Sequence, residues 1–221
     1  MARGFDIEAA ARHLRRADPA LASWMRRVPA VSAEAGWRRP LNVVDALSRS
    51  ILYQQLSGKA AATIVGRVEQ AVQSARLDAA ALARIDDDAL RACGVSGNKA
   101  RALRDLQSHA ERGLLPDARA MARMDDEAII AALTAVRGIG RWTVQMLLMF
   151  RLGRPDQLPV DDLGVRKGLQ CVDALETLPG ARELAQRGEI WGPYRTLASL
   201  YLWRVADAGN RTATPTPRSQ D

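Results

Sequence analysis

Two helical patterns meet at a Gly-Ile-Gly turn between Leu133 and Leu148, and this restricts the fold more than any other feature of the chain. Apolar residues recur at helical spacing on both sides of Gly138-Ile139-Gly140, so the stretch reads as helix, tight turn, helix. The same pattern runs through the rest of the sequence. Ile7, Ala10, Ala11 and Leu14 form one stripe, and Pro19 suits the first turn of a short helix through Trp24 and Met25. Val44, Leu47, Ile51 and Leu52 share a face, and Ser57 is a good N-cap for a helix through Val72. Further helices are expected from about Lys99 to Arg112, through Phe150, from about Asp161 to Leu175, and from near Pro193 onward. Residues 28–40 read as a loop, with Trp37 plugging the edge of the core. Tyr53 reads as a core ring, Gln54 and Gln55 as exposed or capping amides. No run alternates long enough for a strand. The expectation is an all-α fold of about ten helices over residues 1–207. Residues 208–221 lack large apolar side chains and are expected to form a disordered tail.

Composition excludes several classes. Lys and Arg total 32 against 25 acidic residues, a net charge of +7, so either a solvated basic surface or a polyanion partner fits. Cys93 and Cys171 are the only cysteines. They cannot supply a Cys₄ zinc or iron–sulfur site, and they give no disulfide framework. The first residues lack the apolar core of a signal peptide, and the apolar run Met146–Phe150 is too short to span a bilayer. An intracellular protein, cytoplasmic or nucleoid-associated and without a membrane partner, is therefore expected.

Two groups of residues can carry chemistry. Gly138 and Gly140 permit unusual backbone angles and close approach, and the amides that follow lie at a helix N-terminus, where an anion fits. Thr143 adds a hydroxyl in the same turn. Twenty residues beyond Trp142, Asp161 and Asp162 open another helix. One acid suffices as a cap, so Asp161 is expected to cap and Asp162 to point elsewhere. A helix N-terminus favours the ionised carboxylate, which can stabilise a developing cation or deprotonate a water.

Leu133–Leu148, taken with Val160-Asp161-Asp162-Leu163-Gly164, resembles the helix–hairpin–helix DNA glycosylase superfamily. Residues 51–57 (Ile-Leu-Tyr-Gln-Gln-Leu-Ser) and 191–204 (from Trp191-Gly192-Pro193-Tyr194 to Arg204) resemble its 3-methyladenine DNA glycosylase II branch. The resemblance spans roughly residues 40–205 and implies two packed helical subdomains with a substrate cleft between them. It implies flipping of an alkylated purine, of the 3-methyladenine or 7-methylguanine type, out of duplex DNA and hydrolysis of its N-glycosidic bond. Asp162 falls at the catalytic carboxylate, and Trp142, Trp191 and Tyr194 fall at the base pocket. Gly138, Gly140 and Thr143 fall at the DNA phosphate contact. The resemblance implies no required cofactor, but a structural Na⁺ or K⁺ on the backbone carbonyls of Thr134, Val136 and Ile139.

Members that also cut the backbone carry a lysine where this chain has Trp142, which implies a monofunctional enzyme without lyase activity. Val95, Ser96 and Gly97 occupy the turn from which relatives insert a bulky wedge into DNA. Met146 stands where some relatives have a pocket aromatic. The implied partner is double-stranded DNA containing alkylated bases, bound by a monomer. A non-catalytic helix–hairpin–helix DNA-binding protein and a glycosylase for deaminated bases are the competing readings.

Overall fold

The computed structural model describes residues 4–33 and 35–213, and no strand occurs among them. The α-helices are α1 (Ile7–Ala17), α2 (Pro19–Met25), α3 (Val43–Tyr53), α4 (Gly58–Ala71), α5 (Ala79–Leu82), α6 (Asp87–Ala92) and α7 (Gly97–Glu111). They continue as α8 (Ala118–Met121), α9 (Asp126–Thr134), α10 (Arg141–Leu147), α11 (Leu163–Val172), α12 (Ala181–Arg187) and α13 (Arg195–Ala213). Short 3₁₀ turns occupy Ala35–Arg38 and Gly188–Trp191, and a π-helical turn occupies Leu148–Leu152. No helix among the described residues is long and apolar enough to cross a membrane.

Many of the acids open helices. Asp6, Asp18, Asp78, Asp86, Asp117, Asp125 and Asp162 each accept a hydrogen bond from a backbone N–H three residues on, as do Asn42, Ser57 and Ser96. Each such cap is worth about 1 kcal/mol. Capping also accounts for two of the short helices that periodicity does not reveal. Four residues are too few for a recurring stripe, yet Asp78 and Asp117 start α5 and α8.

The chain divides into two compact units, residues 39–147 and the remainder. In the first, α3 and α7 pack together, burying Leu47, Ile51 and Leu52 of α3 with Leu103 and Leu106 of α7. Arg104 of α7 holds the preceding loop through the carbonyls of Leu82 and Ile85 and the carboxylate of Asp87.

In the second unit, α11 lies against α13 at backbone distance. A Cβ on Gly168 would stand 2.1 Å from the Leu202 carbonyl oxygen, and one on Gly164 would stand 2.6 Å from the Trp203 ring. Two glycines one turn apart thus remove the side chains that would hold the helices apart. Buried Asp18 caps α2 and also accepts from Trp191 Nε1 (2.8 Å) and Arg187 (2.8 Å), whose guanidinium also pairs with Asp173. Trp37 is buried as expected, donating from Nε1 to the Met149 carbonyl at 2.7 Å and packing on Phe5.

The expected tail begins too early. Residues 208–213 continue α13, and Gly209 within it lies against Cys171 of α11. Residues 214–221 lie outside the described residues.

Candidate active site

The Gly-Ile-Gly turn joins α9 to α10. Gly138 alone of its two glycines has a left-handed backbone, φ +77°, and a Cβ there would come 3.3 Å from Ala102 of α7. Gly140 is not among the positive-φ glycines, and a Cβ there would meet nothing within 4 Å. The expectation of unusual backbone angles at both glycines is corrected accordingly: Gly138 makes the turn, and Gly140 leaves open space in front of it. Three bonds brace the turn. Ile139 N–H donates to the Val136 carbonyl (3.1 Å), Arg137 N–H to Asp105 Oδ2 (2.7 Å), and Gln54 Nε2 to the Gly138 carbonyl (2.9 Å). The α10 ladder begins with Val144 N–H on the Gly140 carbonyl, so the first-turn amides precede it. Thr143, expected at the phosphate, is 7% exposed and lines a cavity.

That cavity, of about 420 Å³, is lined by Ser50, Tyr53, Gln54, Gln55, Trp142, Thr143 and Met146. Its volume falls within the ~300–1,000 Å³ of small-molecule sites. Trp142 is 47% exposed and Tyr53 44%, so two rings present faces to an incoming planar group. Tyr53 is therefore not the core ring that helical spacing suggested. It ends α3, where the cap residue Gln54 and left-handed Gln55 (φ +55°) turn the chain. Lys99 of α7 donates from Nζ to the Leu52 carbonyl (2.8 Å), satisfying the helix end. Burial holds this ammonium below its ordinary pKa.

In the other unit, Asp162 is itself the N-cap of α11, its Oδ1 accepting from Val165 N–H at 2.9 Å. Asp161, expected to cap, is exposed instead. Oδ1 of Asp162 also accepts from Trp203 Nε1 at 2.7 Å, and the Trp203 ring stacks on Phe150 at 5.9 Å and 18°. Two donors on one oxygen fix the carboxylate plane. The segment leading to Asp162 is equally well held. Thr196, fully buried, accepts from Gln157 N–H (2.9 Å) and donates to the Arg154 carbonyl (2.6 Å). Ser199 donates to the Gln157 carbonyl, and Arg195 pairs with Asp156 at 2.7 Å. One face of α13, from Arg195 to Trp203, thus fastens residues 154–162.

Trp191 and Tyr194 take other parts. Trp191 is 0% exposed, bonded to Asp18 and facing Arg187. A ring without exposed surface offers no face to a base, so its pocket assignment is corrected to core packing. Tyr194 packs against His13 and Phe5, at 5.4 and 6.2 Å between ring centroids. The wedge assignment changes as well. Val95 is 3% exposed, because Gly94 (φ +94°) turns the chain inward before it. Ser96 caps α7, and Gly97 opens it with no side chain to insert.

The residues missed by sequence reasoning are Trp203 and Gln54, each already inside a recognised motif. An aromatic eight residues beyond Arg195 on a helix, and an amide at a helix end, were the available signals.

The chain is similar in sequence and fold to known DNA repair proteins. The chain is 34% identical over 175 residues to DNA-3-methyladenine glycosylase 1 of Schizosaccharomyces pombe, covering 79% of this chain and 77% of that one. The crystal structure of a DNA-3-methyladenine glycosidase from Bacillus halodurans superposes with a TM-score of 0.80 at 36% identity, covering 90% of this chain and 89% of the other. The S. pombe 3-methyladenine DNA glycosylase Mag1, in complex with abasic DNA, superposes at 0.73 and 32% identity, covering 88% and 95%. A family model described as HhH-GPD superfamily base excision DNA repair protein matches residues 48–193. The chain belongs to the HhH-GPD superfamily of base excision DNA repair proteins.

Proposed function

We propose that this protein is a monofunctional DNA glycosylase that flips alkylated purines out of duplex DNA and hydrolyses their N-glycosidic bond. The observation that carries the reading is the Asp162 carboxylate, oriented through Oδ1 by Trp203 Nε1 and Val165 N–H. Breaking the bond sends its electron pair to the departing base and leaves oxocarbenium charge on the sugar. A fixed carboxylate stabilises that charge, and water then adds to the anomeric carbon with loss of a proton. A purine alkylated at N3 or N7 is already cationic and departs without acid help. The names of its relatives support this substrate class.

The exposed Trp142 ring suits such a base, because an electron-rich face attracts a cation. A tryptophan at this position also has no amine to form a Schiff base, which supports base release without strand cleavage. The hairpin after Gly138 would hold a DNA phosphate, and the protein would act as a monomer on double-stranded DNA.

The carbonyls of Thr134, Val136 and Ile139 suit a Na⁺ or K⁺ ion. They are hard oxygen donors: Thr134 is the last residue of α9, and Val136 and Ile139 lie in the hairpin that follows, where the Val136 carbonyl accepts from Ile139 N–H. A bound monovalent cation would supply positive charge beside the phosphate.

The test is base release from methylated duplex by wild type and Asp162→Asn. Asparagine keeps the helix cap and the acceptor for Trp203 but loses the charge. Release is expected to fall at least ~100-fold with duplex binding little changed, and wild-type product should stay unnicked until alkali is added. Wild-type activity in the variant would overturn the assignment.

A further inference from the structure

An acid sits where the proposed DNA grip least welcomes one. Asp105 of α7 directs Oδ2 at the N–H of Arg137, 2.7 Å away, immediately before the Gly-Ile-Gly turn. Coulomb repulsion from a nearby phosphate disfavours this placement, so the carboxylate must be offset by something the hairpin gains. The geometry identifies the gain. Asp105 holds the N–H side of the turn, and Gln54 Nε2 holds its carbonyl side at Gly138, 2.9 Å away. Between them, the left-handed Gly138 sits against Ala102, one helical turn before Asp105 on the same face of α7. His109 Nδ1, bonded to the Asp105 carbonyl at 2.8 Å, stands 3.5 Å from the Asp105 carboxylate on the side of the next turn. An exposed turn whose ends are tied to two different helices loses little further freedom when it closes on an anion, and pre-paid ordering appears as affinity.

We infer that Asp105 is a positioning residue of the phosphate-binding hairpin, tightening DNA binding despite its negative charge; this rests on the proposed glycosylase reading. The sign of the effect separates this from simple electrostatics. Removing an acid near a phosphate site should tighten DNA binding whether asparagine or alanine replaces it. Removing a positioning acceptor should weaken binding with alanine, and asparagine should rescue it, because its side-chain oxygen still accepts from Arg137 N–H.

The experiment measures binding of a duplex carrying a tetrahydrofuran abasic analogue by wild type, Asp105→Ala and Asp105→Asn, with amide exchange across the hairpin. Asp105→Ala is expected to bind about tenfold more weakly, the loss of one charge-assisted hydrogen bond, with Asp105→Asn within about twofold of wild type. On methylated substrate, KM should rise in step while kcat stays level, and the Arg137 amide should exchange faster in Asp105→Ala. Binding equal to or tighter than wild type in both variants, or unchanged exchange at Arg137, would overturn the inference. Wild type that binds no duplex would instead remove the functional reading on which it rests.

Discussion

The segment that carries Asp162 and the turn that carries Gly138 are each held by side chains from other helices, but in opposite surroundings. Residues 154–162 are fastened largely by buried groups: Thr196 and Ser199 have no exposed surface, and half-buried Trp203 stacks on Phe150. The hairpin is fastened at the surface, by Asp105, Gln54 and an ion pair between Arg141 and Glu127. A carboxylate that must stabilise charge at one point gains from rigidity, since catalytic groups act through geometry fixed before reaction. A turn that must meet a flexible polyanion gains from access. Hydrogen bonds therefore mean different things in the two places, and mutation should separate them.

The largest effect is expected on the buried side. Thr196→Val keeps the shape but leaves Gln157 N–H and the Arg154 carbonyl without their hydroxyl partner. Two buried polar groups losing one partner should cost about 2–3 kcal/mol. At roughly 2–4 °C per kcal/mol for a chain of this size, the melting point should fall by about 5–10 °C. Thr196→Ser should recover most of the loss. A melting point within a degree of wild type would show that the loop is held by other contacts. It would also remove the contrast with the hairpin.

An intermediate effect belongs to the exposed aromatic. Trp142→Ala removes a ring that is 47% exposed, so the fold should lose little. Stacking on a base is worth about 1–3 kcal/mol, so KM for methylated duplex should rise about tenfold or more. If the ring attracts a cationic base, the penalty should be larger for 7-methylguanine than for a neutral lesion in the same duplex. Equal penalties would reduce Trp142 to a hydrophobic surface.

The sequence is informative at some of these positions and silent at others. Periodicity reveals the long helices because a stripe repeated over three turns matches neither a strand nor a loop, and the order of motifs singles out Asp162 and Trp142 as candidates. Trp191 is misassigned because a motif position carries a residue type and not its exposure. In this chain Asp18, 173 residues earlier, accepts from its indole and draws it into the core. Val95 fails for the same reason, since only the backbone at Gly94 decides which way it faces. The capping roles of Asp161 and Asp162 interchange because adjacent acids look alike until the first helical N–H selects one. Trp203 becomes legible only when α11 and α13 are in contact, a packing permitted by Gly164 and Gly168.

The smallest effect lies on the hairpin's outer surface, where Glu127 of α9 makes two hydrogen bonds to the Arg141 guanidinium of α10. The hydrogen bond to Arg141 lowers the Glu127 pKa below its ordinary value. The folded-state value is depressed, so the contribution to stability is present above the unfolded value and is lost as pH falls through the folded one. The window therefore opens below about pH 4.3. Both groups are well exposed, at 53% and 70% of their side-chain surface, so solvent screening leaves the pair at about 0.5 kcal/mol or less. Glu127→Gln should shift the melting point by about a degree at neutral pH and by nothing measurable near pH 3, where the wild-type carboxylate is itself protonated. An acid-independent shift would assign the effect to packing. A loss of several degrees would mean that the surface side of the molecule is held as tightly as the buried side, and the division between a rigid carboxylate and an accessible turn would fail.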